Sequence, residues 1–287
     1  MTIRRPGVDW RKAARQLDAE VHRVAGLLRS VRQPSAPALG QWTVADVAVH
    51  LSQAWMVVPG LARQDLGEVE ELLPRFRHAR SVLGDIWELE AVTAEGVVAE
   101  PERDPAVLAS RIEDRARRYL GALEGTATDR RPWLVEGTEV ALVTLTCHLL
   151  NETIVHGWDI ARGDGRSWDI RAAPAATVLD SFLVPVFQAL GPRDMVDQVV
   201  AAGLQATFEI RVRGGGRHLF VFDDGALTVE APSGRPVDCV IDADPAALLL
   251  VAWNRIDQAQ AIVDRKLVPS GPKAWLAPRL RSLMRNP

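Results

Sequence analysis

After Gly165 the apolar pattern of this chain changes, from helices alone to one further helix followed by segments of strand spacing, so the sequence must build two different kinds of module. From Asp9 to Val31, residues such as Trp10, Leu17, Val21, Val24 and Leu28 recur at intervals of three and four, the single stripe of a long helix. Pro34, Pro37 and Gly40 break it. A second helix starts at Thr43, where Thr43-Val44-Ala45-Asp46 matches a capping box with Asp in place of Glu, and Pro59-Gly60 is expected to close it. One or two short helices are expected around Glu68 to Ile86. Asp104-Pro105 places an N-cap residue before a proline suited to the first helical turn, opening a helix that runs to Leu123. Thr138 to Ala161 is the most apolar helix. Four helices with short connections describe an up-and-down bundle.

Beyond Gly165, Pro174 to Leu190 is still helical, but then the period falls to two. Phe208, Ile210 and Val212 alternate with Glu209, Arg211 and Arg213; Gly214-Gly215-Gly216 turns the chain into Leu219 to Phe222, and Asp223-Asp224-Gly225 turns it into Leu227 to Val229. A fourth strand, Val237 to Ile241, precedes Asp244-Pro245, another helix start, and helices are expected from Ala246 to Met284, broken near Pro269 to Pro272. The expected fold class is α + (α+β). A helical bundle over residues 1–165 is followed by a small antiparallel sheet covered by helices over 166–287.

Composition narrows the function classes. Of 287 residues, 47% are hydrophobic and 25% charged, and 34 Lys and Arg stand against 37 Asp and Glu, a formal charge of −3. No basic excess marks a nucleic-acid or anionic-membrane partner. The longest apolar runs, such as Ala246 to Trp253, are shorter than the roughly 18–20 residues of a membrane span. The first residues lack a secretory signal, and the two cysteines, Cys147 and Cys239, imply no disulfide framework, so a soluble cytoplasmic protein is expected, as a monomer or homodimer.

The chemistry concentrates in the apolar helix Thr138 to Ala161, which carries His148-x3-Glu152-x3-His156. Residues four apart share a helical face, and imidazole with carboxylate suits zinc or another divalent first-row metal. His148 and His156 are separated by roughly 12 Å along the axis. One ion must therefore choose His148 with Glu152, or Glu152 with His156. His50, bordering the apolar stripe of the second helix, is the best candidate for a third ligand. Three protein ligands would leave an open coordination position, as in catalytic zinc sites. The plainer alternative makes these histidines hydrogen-bonded core residues and Glu152 a neutral or Arg-paired carboxyl.

Two segments carry a family resemblance. Gly40-Gln41-Trp42-Thr43-Val44-Ala45-Asp46-Val47-Ala48-Val49-His50-Leu51 and Asn151-Glu152-Thr153-Ile154-Val155-His156-Gly157-Trp158-Asp159-Ile160-Ala161-Arg162 resemble the signature stretches of mycothiol-dependent maleylpyruvate isomerase-like proteins, within the DinB-like superfamily. The tail from Asp244 through Leu280 is similar to the sterol-carrier-like domain that accompanies the bundle. The resemblance implies His50, Glu152 and His156 as a zinc triad, with His148 a turn away as an outer or wall residue. It also implies mycothiol, the small thiol of actinobacteria, as cofactor or co-substrate.

A metal-coordinated thiol loses its proton, and the resulting nucleophile would attack a small electrophilic substrate. An adduct that rotates and expels the thiol gives cis–trans isomerisation of the maleylpyruvate type; one that is retained, or displacement of a leaving group, gives S-transfer. The competing readings are a DinB-like hydrolase using zinc-bound water, and a non-catalytic carrier of an apolar ligand. Around the site, Asp159 either orients His156 or pairs with Arg162, the latter favoured by i,i+3 spacing, and Trp158 is a candidate pocket wall. Asp46 is read as serving its helix N-terminus and Cys147 as a packing residue. Arg211, Arg213 and Arg217 could bind a carboxylate of substrate or thiol, with a solvated strand face as the favoured account.

Overall fold

Asp9 caps helix α1 (Trp10–Arg29) by accepting hydrogen bonds from the Arg11 and Lys12 amides, and from there a computed structural model describes residues 9–74, 88–123, 130–135 and 137–285. The chain divides into two compact units, one up to Ile170 and one from Arg171.

In the first unit, α1 leads into a small hairpin of β1 (Pro37–Leu39) and β2 (Trp42–Thr43), and then into α2 (Val44–Arg63). The expected capping box is present: Thr43 Oγ1 accepts from the Asp46 amide at 3.2 Å and Asp46 Oδ2 accepts from the Thr43 amide at 3.0 Å. Pro59-Gly60 does not end α2. The helix runs through Pro59, which has no N–H to give the Trp55 carbonyl, and closes at Gln64 in the left-handed conformation (φ 59°). Gly60 is needed there because a Cβ would lie 2.8 Å from the returning Asp65 carbonyl oxygen. Helix α3 (Gly67–Leu72) and helix α4 (Leu89–Ala99) follow, the second of these unforeseen from sequence; the remainder of the expected Glu68–Ile86 helices, residues 75–87, lies outside the described residues. Helix α5 (Pro105–Leu123) starts as Asp104-Pro105 indicated. Thr138 and Glu139, expected to be helical, form strand β4 against β3 (Trp133–Val135), and α6 spans Leu142–Gly163.

Helix α1 packs on α5 and α6, and α2 packs on the same two. The consecutive helices α1 and α2 therefore sit diagonally, not side by side as an up-and-down order would place them. Leu17, Leu28, Leu51, Leu108, Ile112 and Leu149 are almost completely buried between these helices, each contributing about 1.5–3 kcal/mol of apolar burial. Helices α2 and α6 run antiparallel: Val44 meets Gly163 at one end, and Trp55 Nε1 donates to Thr153 Oγ1 at 3.3 Å further along. At Gly163 a Cβ would lie 2.7 Å from Val44 Cγ2, 2.9 Å from Ala38 Cβ and 3.1 Å from the Pro37 carbonyl oxygen. Gly163→Val should therefore destabilise the unit by about 1–3 kcal/mol, read as a lower urea midpoint with unchanged m-value.

In the second unit, α7 (Ala172–Val178) passes through a π-helical stretch, Leu179–Leu183, into α8 (Val184–Ala189). Strands β5 (Gln205–Val212), β6 (Arg217–Asp223), β7 (Ala226–Glu230), β8 (Cys239–Ala243) and β9 (Leu267–Ser270) form a sheet in the order β7-β6-β5-β8-β9. The sheet is mixed, not antiparallel as expected, because β5 and β8 pair in parallel. Tight turns force β5, β6 and β7 to alternate direction, whereas the longer connection over 231–238 carries the chain across to the far side of β5. Strand β9 lies at the break expected between helices near Pro269, where no strand was foreseen; it is an edge strand, the position in which Pro269 costs no ladder hydrogen bond. Helices α9 (Pro245–Ala252) and α10 (Gln258–Val263) complete the unit, together with short 3₁₀ turns at Ala274–Arg279 and Arg281–Leu283.

Among the described residues, two helical segments, Val44–Arg63 and Ala172–Ala189, are long and apolar enough to cross a membrane, but 78% and 61% of their most apolar windows lie buried within the protein.

Candidate metal centre

Helix α6 presents His148, Glu152 and His156 one turn apart, and α2 presents His50 opposite them. His50 Nε2 lies 3.1 Å from Glu152 Oε2, and His156 Nε2 lies 3.2 Å from the same oxygen. One donor atom from each of His50, Glu152 and His156 falls within 4.8 Å of the other two. Metal bonds of roughly 2.0–2.2 Å in a tetrahedron separate neighbouring ligand atoms by about 3.3–3.5 Å. The two observed nitrogen-to-oxygen spacings, 3.1 and 3.2 Å, come close to that. The donor set also fits: two imidazoles and a carboxylate, with Glu152 and His156 each 8% exposed.

His148 faces the other carboxylate oxygen, its Nε2 3.3 Å from Glu152 Oε1. The Asn151 amide donates to that same oxygen at 3.2 Å. His156 turns its Nδ1 toward Asp159 Oδ2 at 3.0 Å. A buried carboxylate on the far ring nitrogen of a metal-ligating histidine is the usual means of fixing its tautomer and orientation. The i,i+3 partner favoured for Asp159 on sequence, Arg162, instead lies over the Trp158 ring, 5.0 Å from its centroid. Trp158 is half-buried, and Trp42 packs its ring 5.3 Å from that of His50.

Burial alone would push the Glu152 carboxyl up, yet hydrogen bonds from His148, His156 and His50 outweigh it and hold the group well below the ordinary carboxylate range. Burial lowers His50, despite the opposing hydrogen bond from Glu152, and so favours the neutral ring a metal requires. Burial also acts to lower His156, but Asp159 and Glu152 overcome it and raise the imidazole to about 9. In the metal-free cluster His156 thus favours its protonated form between the buried carboxylates Glu152 and Asp159.

The remaining sequence candidates have protein partners. Arg211 Nη2 donates to Glu209 Oε2 at 2.7 Å, Arg217 Nε to Glu209 Oε1 at 2.6 Å, and Arg213 Nε to Asp242 Oδ1 at 2.6 Å. Sequence reading missed Glu209: it alternates with apolar residues like any outward strand position, yet is 4% exposed in the sheet. Cys147 and Cys239 are buried and form no disulfide, and burial pushes the Cys239 thiol up to about 11. The second unit has a partly open apolar cavity of about 100 Å³, lined by residues such as Leu183, Phe187, Ile210 and Phe220, with His218 and Arg281 among its few polar groups.

The sequence model of the mycothiol maleylpyruvate isomerase N-terminal domain matches residues 10–161, more than half of the chain. The chain belongs to this family. As in the architecture implied for such isomerase-family proteins, a second sequence model, for the SCP-2 sterol transfer family, matches residues 187–285. A crystal structure of the mycothiol-dependent maleylpyruvate isomerase is similar in fold, with a TM-score of 0.52 at 13% identity over 91% of this chain and 92% of that one. A sec-alkylsulfatase, Pisa1 from Pseudomonas sp., aligns over 50% of this chain and 24% of its own at 12% identity and a TM-score of 0.29, too weak for any argument. Comparison with curated proteins found no match. The family member thus consists of a helical N-terminal region and a small mixed-sheet unit, with the His–Glu–His cluster inside the isomerase-type region.

Proposed function

We propose that this isomerase-family protein is a metal-dependent enzyme that joins a small thiol, mycothiol, to an electrophilic carbon of a second small molecule. The observation that carries the reading is the convergence of His50 Nε2, Glu152 Oε2 and His156 Nε2 between α2 and α6, with Glu152 and His156 buried. These residues would hold a zinc ion or a similar divalent metal, which supplies a Lewis acid that favours the thiolate form of a sulfur ligand.

The chain's own groups then have distinct tasks. Asp159 keeps a proton on His156 Nδ1 and so aims the Nε2 lone pair at the site. His50, held neutral by burial, offers Nε2 without first having to shed a proton. Glu152 contributes the negative charge that makes the three-residue set selective for a cation. Trp42 packs its ring 5.3 Å from that of His50 and would form a wall beside it. Addition of the thiol sulfur, rotation and expulsion would give isomerisation; retention of the sulfur would give S-transfer.

The test is elemental analysis together with calorimetric titration of mycothiol, on wild-type and His156→Ala protein purified without chelator. One divalent ion per chain, with thiol affinity lost in the variant, is expected. Metal without thiol affinity would favour hydrolysis by metal-bound water, and metal-free wild-type protein would remove the catalytic reading. A second reading attaches to the second unit alone, where the apolar cavity and the match to the sterol transfer family support carriage of an apolar ligand.

A further inference from the structure

We infer that His148 and Asn151 are positioning residues that hold Glu152 as a single-oxygen ligand and so keep a coordination position available for the exogenous thiol. The inference rests on the metal-site reading above and extends it to residues outside the triad.

The two oxygens of Glu152 are used by different partners. Oε2 faces the two imidazole nitrogens that complete the triad, at 3.1 and 3.2 Å. Oε1 faces away from that pair toward His148 Nε2 at 3.3 Å and accepts the Asn151 amide at 3.2 Å. A carboxylate binds a cation through one oxygen or through both. An oxygen already accepting two N–H donors has its lone-pair directions occupied and is a poor second ligand. With Oε1 engaged in this way, the triad offers one oxygen and two nitrogens.

Both positioning groups belong to α6 itself. His148 stands one turn before Glu152, with its side chain 21% exposed, and Asn151 is the preceding residue, 1% exposed. Their hold on Oε1 is therefore built into the helix and does not depend on the approach of α2. This gives His148-x3-Glu152-x3-His156 a use for each histidine: His156 toward the metal and His148 toward the oxygen that must stay off it.

The test uses the cobalt(II)-substituted full-length protein, since the visible band of cobalt weakens as coordination number rises. Wild type, His148→Phe, His148→Gln and Asn151→Ala are compared for cobalt Kd, visible spectrum and number of bound imidazoles by X-ray absorption. Wild type should show the intense band of a four-coordinate ion with two imidazoles. In His148→Phe the band should weaken while two imidazoles remain, and Kd should rise about 10–100-fold. His148→Gln, which retains an N–H donor, should recover most of both. Circular dichroism of the metal-free variants checks folding, and Asn151→Ala provides the same readouts should His148→Phe fail to fold. Unchanged spectra and Kd in the variants would overturn the inference. So would an imidazole count that falls from three to two in His148→Phe, because His148 would then be a ligand. Wild-type protein that takes up no cobalt would overturn the metal-site reading as well, whereas tight uptake with indifferent variants removes only the positioning role.

Discussion

Glu152→Ala should abolish stoichiometric metal binding and, with it, any thiol-dependent activity. Structural zinc in finger peptides is held by roughly 10–16 kcal/mol through four ligands, so one ligand accounts for about 3 kcal/mol and its loss for at least ~100-fold in affinity. The expected loss here is at the upper end. Glu152 Oε2 is the atom both His50 and His156 approach, and no other carboxylate joins them among the described groups that could hold an ion. Glu152→Gln is the sharper comparison: it keeps the shape of the side chain and removes the charge. Titration with zinc against a competing chelator measures both variants. Retention of wild-type affinity in either would mean that the metal is held elsewhere.

The second large effect is on pH dependence. In the metal-free protein His156 is raised from 6.5 to about 9, against the effect of burial, by Asp159 and Glu152. A group with a raised folded-state pKa contributes stability that is fully present below its unfolded pKa and is lost as pH rises through the folded one. The metal-free first unit should therefore lose stability between about pH 6.5 and 9, on the order of 3 kcal/mol. For a unit of this size that corresponds to a fall in Tm of roughly 6–12 °C. With metal bound the same ring must be unprotonated at Nε2, so the decline should largely vanish. Metal uptake near pH 7 should release about one proton per ion, measured by calorimetry in buffers of different ionisation enthalpy. In Asp159→Asn the proton release should drop well below one, because the hydrogen bond that raises His156 most is gone. A flat metal-free stability profile over this range would show that His156 does not carry that proton.

Much of the fold was legible in local sequence. The stripe from Trp10 to Leu28, the capping box at Thr43 and the proline after Asp104 depend on contacts within about four residues, and each lies where its local pattern placed it. The same locality accounts for the failures. Pro59-Gly60 reads as a terminator, but packing of α2 carries the helix past it to Arg63. Thr138 and Glu139 continue an apolar helical pattern, but pair with Trp133 and Val135 instead. Leu267–Ser270 reads as a break between helices because it is an edge strand whose partner, β8, lies some thirty residues earlier.

The site divides along the same line. Sequence by itself determined that a carboxylate and two imidazoles lie on one face of the most apolar helix, since a spacing of four fixes that within any α-helix. It left open which imidazole shares the carboxylate's inward oxygen, and spacing favoured Arg162 as the partner of Asp159. The tertiary structure decided both. Helix α2 brings His50 across 102 residues onto Glu152 Oε2, the oxygen also faced by His156, while Asp159 points at His156. Such choices depend on the separation and register of two helices, set by Val44 against Gly163 and Trp55 against Thr153. Local periodicity has no access to them, because packing between distant segments is what establishes that register.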